Sequence, residues 1–324
     1  MKPLKECKIL VTPTSFGKGD PSMITELKEL AGEVVINTSG RRLLSDELAV
    51  MLPGMDGLIA GNDVIDRNAL RSADSLKVIA RYGVGIDNVD LDEARARGIV
   101  VTNTPGANTV SVAEQTITLI LALMRKLPES VSATRSGGWP RIHGMTLQGK
   151  TVGILGFGAI GKQVARRLSN FDCNLLAFDP YPDNETASLY GVQLVSRDDV
   201  LAGADIITLH LPLLPETRQL INPETLAKMK QGSYLINTSR GELVDEDALL
   251  QAVQSGHIAG AGLDVFCKEP PDPDSPFLHL PQFVVTPHGS SHTDGAMNAM
   301  GRMSMDECLR VLRGEVPKYP VKQG

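Results

Sequence analysis

Residues 151–179 read TVGILGFGAIGKQVARRLSNFDCNLLAFD, and this stretch decides the fold. An apolar strand, TVGIL, runs into Gly156-Phe157-Gly158-Ala159-Ile160-Gly161, which opens the helical stretch IGKQVARRLSN. Gly156 permits the tight turn, Gly158 lets the backbone approach a pyrophosphate, and Gly161 lets the helix pack close to the strand. Around Ala159 and Ile160 the helix start offers free N–H groups and the positive end of its dipole to phosphate. The next strand, NLLAF, ends in Asp179, 18 residues after Gly161. An acidic side chain there accepts from the ribose 2′-hydroxyl of NAD and repels the 2′-phosphate of NADP. Strand, turn, helix, strand and acid in this order predict a Rossmann unit that takes NAD.

The same rhythm extends in both directions. Before Asn103 the strand-like runs are KILVT, EVVIN, GLIAG, KVIAR and IVVTN, separated by helical stretches such as SDELAVML and DLDEARAR. After Asp179 come VQLV, DIITLHLP, SYLINTS, AGAGLDV and FVVTPH. Alternating strands and helices make parallel sheets. The expected fold class is α/β, with two doubly wound parallel-sheet domains: a flavodoxin-like domain of residues 1–103 and 293–324, and a Rossmann domain of residues 104–292. The closing helical stretch, TDGAMNAMGRMSMDECLRVLRG (293–314), is expected to return to the first domain. Ser111 to Glu114 fits a capping box. The stretch after it, TITLILALMRKL, is apolar around most of its circumference, so it belongs in a domain core or a subunit interface.

Composition excludes several classes. A formal net charge of −6 over 324 residues argues against nucleic acid as a partner. No run is long and apolar enough for a membrane helix, and the N-terminus carries no signal-peptide pattern, so a cytoplasmic protein is expected. Cys7, Cys173, Cys267 and Cys308 are widely spaced without a C-x-x-C pair, which argues against a disulfide framework or a bound metal.

Several segments, in order, carry a family resemblance: RYGVGIDNVDLDEARARGIVVTNTPGANTVSVAE (81–114), LQGKTVGILGFGAIGKQVA (147–165), NTSRGELVDEDAL (237–249), AGLDVFCKEPP (261–271) and VVTPH (284–288). The chain resembles the D-isomer-specific 2-hydroxyacid dehydrogenases, most of all the phosphoglycerate dehydrogenase group. The resemblance implies a homodimer, an active site between the two domains and interconversion of a small 2-hydroxy acid with its 2-keto acid. It implies Arg240, Glu269 and His288 as the catalytic set. A hydride arriving at a carbonyl carbon leaves charge on oxygen, which a positioned acid must neutralise, and an imidazole suits that task. Glu269 would hydrogen-bond the imidazole and hold its tautomer, and the planar fork of Arg240 suits a carboxylate and a carbonyl oxygen.

By resemblance again, His210, Pro212 and Thr238 line the cofactor and Asp264 holds the nicotinamide carboxamide. Arg81, Tyr82, Gly83 and Val84 belong to the loop that grips the substrate carboxylate. His292 is expected to cap the last helix or face solvent. A second anionic group on the substrate, as in 3-phosphoglycerate, would need cations, for which Arg81, Arg135 and Arg141 are candidates. The stop at Gly324 leads to the expectation that the regulatory extension of longer relatives is absent. One departure stands out: where the family commonly has an apolar residue and then Gly or Ala after the histidine, this chain has Gly289 and Ser290. Two other readings share much of the pattern, an NAD-sensing corepressor-like scaffold and a phosphite-type dehydrogenase.

Overall fold

The computed structural model describes residues 2–322. They form two compact units, one of Thr109–Ser290 and one of the flanking residues up to Asn108 and from Ser291. The chain thus passes between units at 108/109 and 290/291, where the sequence pattern suggested 103/104 and 292/293.

The flanking unit holds β1 (Lys8–Val11), β2 (Glu33–Ile36), β3 (Gly57–Ala60), β4 (Val78–Arg81) and β5 (Val100–Thr102). They form one parallel sheet in the order β2-β1-β3-β4-β5, the flavodoxin-like order. Every residue of β3 and β4 is buried, as strands covered on both faces require. Ile9 and Val11 join one core with Met300, Met305 and Leu309, while Leu10 joins the opposite core with Leu48, Leu52 and Leu70. That split is the two-residue period of a strand. The helix Asp294–Leu312 supplies the methionines, so the chain's last helix completes its first domain. Its seat requires Gly57, where a Cβ would lie 2.7 Å from Cys308 Sγ. Thr293 caps this helix by accepting from Ala296 N. His292 is exposed and is not the cap.

The central unit holds β6 (Thr151–Leu155), β7 (Asn174–Phe178), β8 (Val192–Leu194), β9 (Ile206–Leu209), β10 (Ser233–Asn237), β11 (Ile258–Leu263) and β12 (Phe283–Val285). Their order is β12-β11-β10-β9-β6-β7-β8, parallel throughout. From β6 the chain winds outward to β8, then returns to β9 on the other side of β6. This reversal makes a crevice at the carboxyl ends of β6 and β9, where doubly wound sheets take ligands.

The helix Thr109–Met124 buries Val112, Ala113, Ile117, Leu119, Ile120, Leu123 and Met124 and is core to this unit. The expected capping box is absent. The helix begins at Thr109, so Ser111 lies inside its first turn and donates to Ser290 O, while Glu114 pairs with Arg167 at 3.1 Å. Among the described residues no helix is long and apolar enough to cross a membrane.

Candidate active site

The glycine turn leaves β6 at the crevice. Gly156 has φ +99°, and a Cβ there would sit 2.4 Å from His210 O. At Gly161 a Cβ would lie 2.1 Å from Gly156 O, so helix and turn are pressed together. Gly158 differs from both, because a Cβ there meets nothing within 4 Å. Its space faces open surroundings at the start of the helix Ala159–Leu168, which has no side-chain cap. Open space over uncapped N–H groups at a helix start suits a pyrophosphate.

Asp179 stands beside the turn, accepting from Phe157 N at 2.7 Å through Oδ2 and from Tyr181 N at 2.8 Å through Oδ1. One lone pair on each oxygen remains for a ribose hydroxyl. The donor set and the open cradle therefore fit NAD.

His210 follows β9, with its N–H on Leu155 O at 2.7 Å and Nε2 beside Thr208 Oγ1 at 3.0 Å. Nδ1 is buried and has no hydrogen-bond partner among the described residues. Burial pushes the imidazole's pKa down to about 3, so it is neutral at physiological pH. Its carbonyl lies against Gly156. Pro212 is exposed, and its carbonyl accepts from Thr217 Oγ1. Thr238 is buried and its hydroxyl pairs with Thr116 Oγ1 at 3.0 Å, tying the end of β10 to the core helix.

Arg240, Glu269 and His288 sit on three loops at the carboxyl ends of β10, β11 and β12. Asn237 shapes the first loop, donating to Arg240 O at 2.7 Å and accepting from Ser239 N at 3.0 Å. Gly241 brings that loop onto the second, since a Cβ would lie 2.1 Å from the carbonyl carbon of Phe266. Glu269 Oε1 accepts from Phe266 N at 3.1 Å, and Oε2 meets His288 Nδ1 at 2.8 Å. Both side chains keep somewhat over a quarter of their surface exposed, at 28% and 29%. With a carboxylate on Nδ1, the ring carries its proton there and leaves Nε2 for a ligand. His288 has φ +50°, a left-handed conformation uncommon outside glycine.

Asp264 lies at the end of β11, beside the His288 loop. It is fully buried, and its two oxygens accept from Thr286 Oγ1, Gly289 N, Ser290 N and Ser290 Oγ. Those four bonds match the four or so acceptor positions of a carboxylate and bind Asp264 to the His288 loop.

In the flanking unit, Arg81 is only 2% exposed. Its guanidinium donates to Ala60 O, Gly61 O and Gly85 O, so it braces the loop instead of offering its charge at the surface. Tyr82 is buried against Phe16, with its hydroxyl on Met297 O at 3.1 Å. Gly83 has φ +151°, and Val84 is the exposed member of the loop. Arg135 and Arg141 are exposed, as is Trp139 at 85%. Ser111 and Gln115 bond to the His288 loop, and Ser290 ties that loop to Asp264; in sequence Ser111 reads as a cap, Ser290 shows only as a departure after the histidine, and Gln115 carries no signal.

Residues 117–290 match the family model described as D-isomer specific 2-hydroxyacid dehydrogenase, NAD binding domain. This part of the chain is thus an NAD-binding domain. The chain is 40% identical over 320 residues to a D-3-phosphoglycerate dehydrogenase of Methanocaldococcus jannaschii, covering 97% of this chain and 59% of that protein. It spans little more than half the length of the phosphoglycerate dehydrogenases it matches. A glyoxylate reductase of Thermofilum pendens is 40% identical over 303 residues, covering 91% of this chain and 89% of the reductase. Among solved structures, the TT0316 protein from Thermus thermophilus superposes with a TM-score of 0.87 at 39% identity, covering 97% of this chain and 99% of that one.

Proposed function

The chain belongs to the D-isomer-specific 2-hydroxyacid dehydrogenase family, and we propose that it interconverts a small 2-hydroxy acid and its 2-keto acid with NAD. The observation that carries this reading is the 2.8 Å contact between Glu269 Oε2 and His288 Nδ1, on a loop packed against that of Arg240. NAD would lie with its pyrophosphate over Gly158 and the helix start and its adenosine ribose at Asp179. When bound, the reduced cofactor supplies the hydride that reaches the keto carbon.

The chain's own residues do the rest. His288 gives a proton from Nε2 to the oxygen on which charge develops, and takes the hydroxyl proton in the reverse direction. Glu269 holds the ring by Nδ1 and offsets the charge of the imidazolium. Arg240 presents a rigid fork of donors to the carboxylate and carbonyl oxygens.

Steady-state NADH oxidation with pyruvate, glyoxylate, hydroxypyruvate and 3-phosphohydroxypyruvate tests the reading. His288→Ala is expected to lower kcat by about 10²- to 10⁴-fold with little change in NADH affinity. Wild-type kcat in that variant, or no turnover of any 2-keto acid by the wild type, refutes it. Turnover of phosphite in place of the 2-hydroxy acids would favour the phosphite-type reading, and NAD binding without turnover the scaffold.

The finer reading is a homodimer acting on a three- or four-carbon substrate with a second anionic group. Its support is the D-3-phosphoglycerate dehydrogenase relatives and the exposed Arg135, Trp139 and Arg141. The test is kcat/KM for 3-phosphoglycerate against lactate and glycerate, in wild type and Arg141→Ala, alongside the mass in solution. A preference for lactate or glycerate that Arg141→Ala leaves unchanged removes the second anion from the proposal. A monomeric mass removes the dimer.

A further inference from the structure

We propose that Ser290, acting through Asp264, is a positioning residue that sets the place of His288. This rests on the reading of His288 as the proton donor.

Five hydrogen bonds tie Asp264 to residues 286–290. Its carbonyl accepts from His288 N at 2.8 Å. Oδ1 accepts from Thr286 Oγ1 at 2.5 Å and from Gly289 N at 2.9 Å. Oδ2 accepts from Ser290 N at 2.9 Å and from Ser290 Oγ. The carboxylate is 0% exposed, so any acceptor position left empty stays out of reach of bulk water. Ser290 Oγ fills the fourth of about four such positions.

The loop is also held from the opposite side. Ser111 Oγ donates to Ser290 O, and one helical turn on, Gln115 Nε2 donates to Thr286 Oγ1 at 3.2 Å. The two residues are four apart and share a face of the helix Thr109–Met124, which is anchored in the core. His288 therefore sits mid-loop, in a left-handed conformation that its own side chain disfavours, between two clamped ends. The clamp's product is the 2.8 Å contact of Nδ1 with Glu269, and with it the direction of Nε2.

Removing Ser290 Oγ leaves a buried carboxylate lone pair unfilled. The loop must then shift to fill it, and His288 shifts with the loop. Ser290→Ala is expected to lower kcat by about 10- to 100-fold, the usual consequence of displacing a positioned group by up to an ångström. NADH affinity, read by fluorescence quenching, is expected to stay within about twofold, as for an interaction expressed only in the chemical step.

The deciding measurement is a double-mutant cycle with His288→Ala, read by single-turnover NADH oxidation at high enzyme concentration on the 2-keto acid turned over best. If Ser290 acts through His288, Ser290→Ala adds less than about twofold in the His288→Ala background. An equal loss in both backgrounds overturns the proposal, as do wild-type kcat in Ser290→Ala and a loss confined to NADH affinity. A slow His288→Ala beside an unimpaired Ser290→Ala refutes this inference alone; an unimpaired His288→Ala refutes the proton donor as well. Should Ser290→Ala not fold, Ser111→Ala removes the donor to Ser290 O from the other side, and the same cycle and outcomes apply.

Discussion

Two glycines of one motif are expected to fail in opposite ways. Gly161→Ala would place a Cβ 2.1 Å from Gly156 O, a backbone atom of the turn. Real Cβ contacts essentially never fall below 3.0 Å, so helix and turn must part by about an ångström. Overpacking of this kind costs about 1–3 kcal/mol, and alanine's better helix propensity returns at most about 1 kcal/mol. A net loss of about 1 kcal/mol lowers Tm by about 2–4 °C for a domain of this size. Gly158→Ala meets nothing within 4 Å, so the unliganded protein is expected to keep its Tm. Its methyl instead occupies the space proposed for the pyrophosphate, and NADH affinity is expected to fall by about tenfold or more, the equivalent of about 1.4 kcal/mol. Differential scanning fluorimetry of both variants without cofactor, followed by NADH titration, separates the two effects. An unchanged Tm in Gly161→Ala refutes the packing argument. Unchanged NADH affinity in Gly158→Ala refutes the placement of the cofactor.

Asp179→Ala is expected to weaken NAD binding and narrow its advantage over NADP, because it removes both a ribose acceptor and a repulsive charge; equal kcat/KM for the two cofactors in the wild type refutes this. Burial holds His210 near pKa 3, below the roughly 6.5 of an unfolded histidine, so the unfolded state takes up the proton first as pH falls. Its contribution to stability is complete above about pH 6.5 and is lost toward pH 3, at no more than about 1.4 kcal/mol per unit. Urea midpoints at pH 7.5 and 5.0 are expected to differ less in His210→Gln than in the wild type, and an equal difference in both refutes the assignment.

Much of this protein was legible in one dimension. Most strands of the two sheets follow a short apolar run, because the inner strands β3, β4 and β9 are buried on both faces. The glycine turn was legible because each glycine answers a local demand, a positive φ at Gly156 or a close approach at Gly161. The segments 237–249, 261–271 and 284–288 of the central unit pointed to Arg240, Glu269 and His288 by resemblance, since each is short and distinctive.

Other features depended on partners distant in sequence. Arg81 reads as a surface cation until Ala60 O and Gly61 O surround it, and Ser111 reads as a helix cap until the helix proves to start at Thr109. Nothing near Asp264 in sequence shows which donors it will meet, and Ser290 supplies two from 26 residues away. Periodicity and turn chemistry are properties of neighbouring residues, so the sequence by itself determined the elements, their order and the cofactor turn. The saturation of a buried carboxylate depends on atoms that only folding brings within 3 Å, so the tertiary structure alone decided which polar groups serve as scaffold around His288.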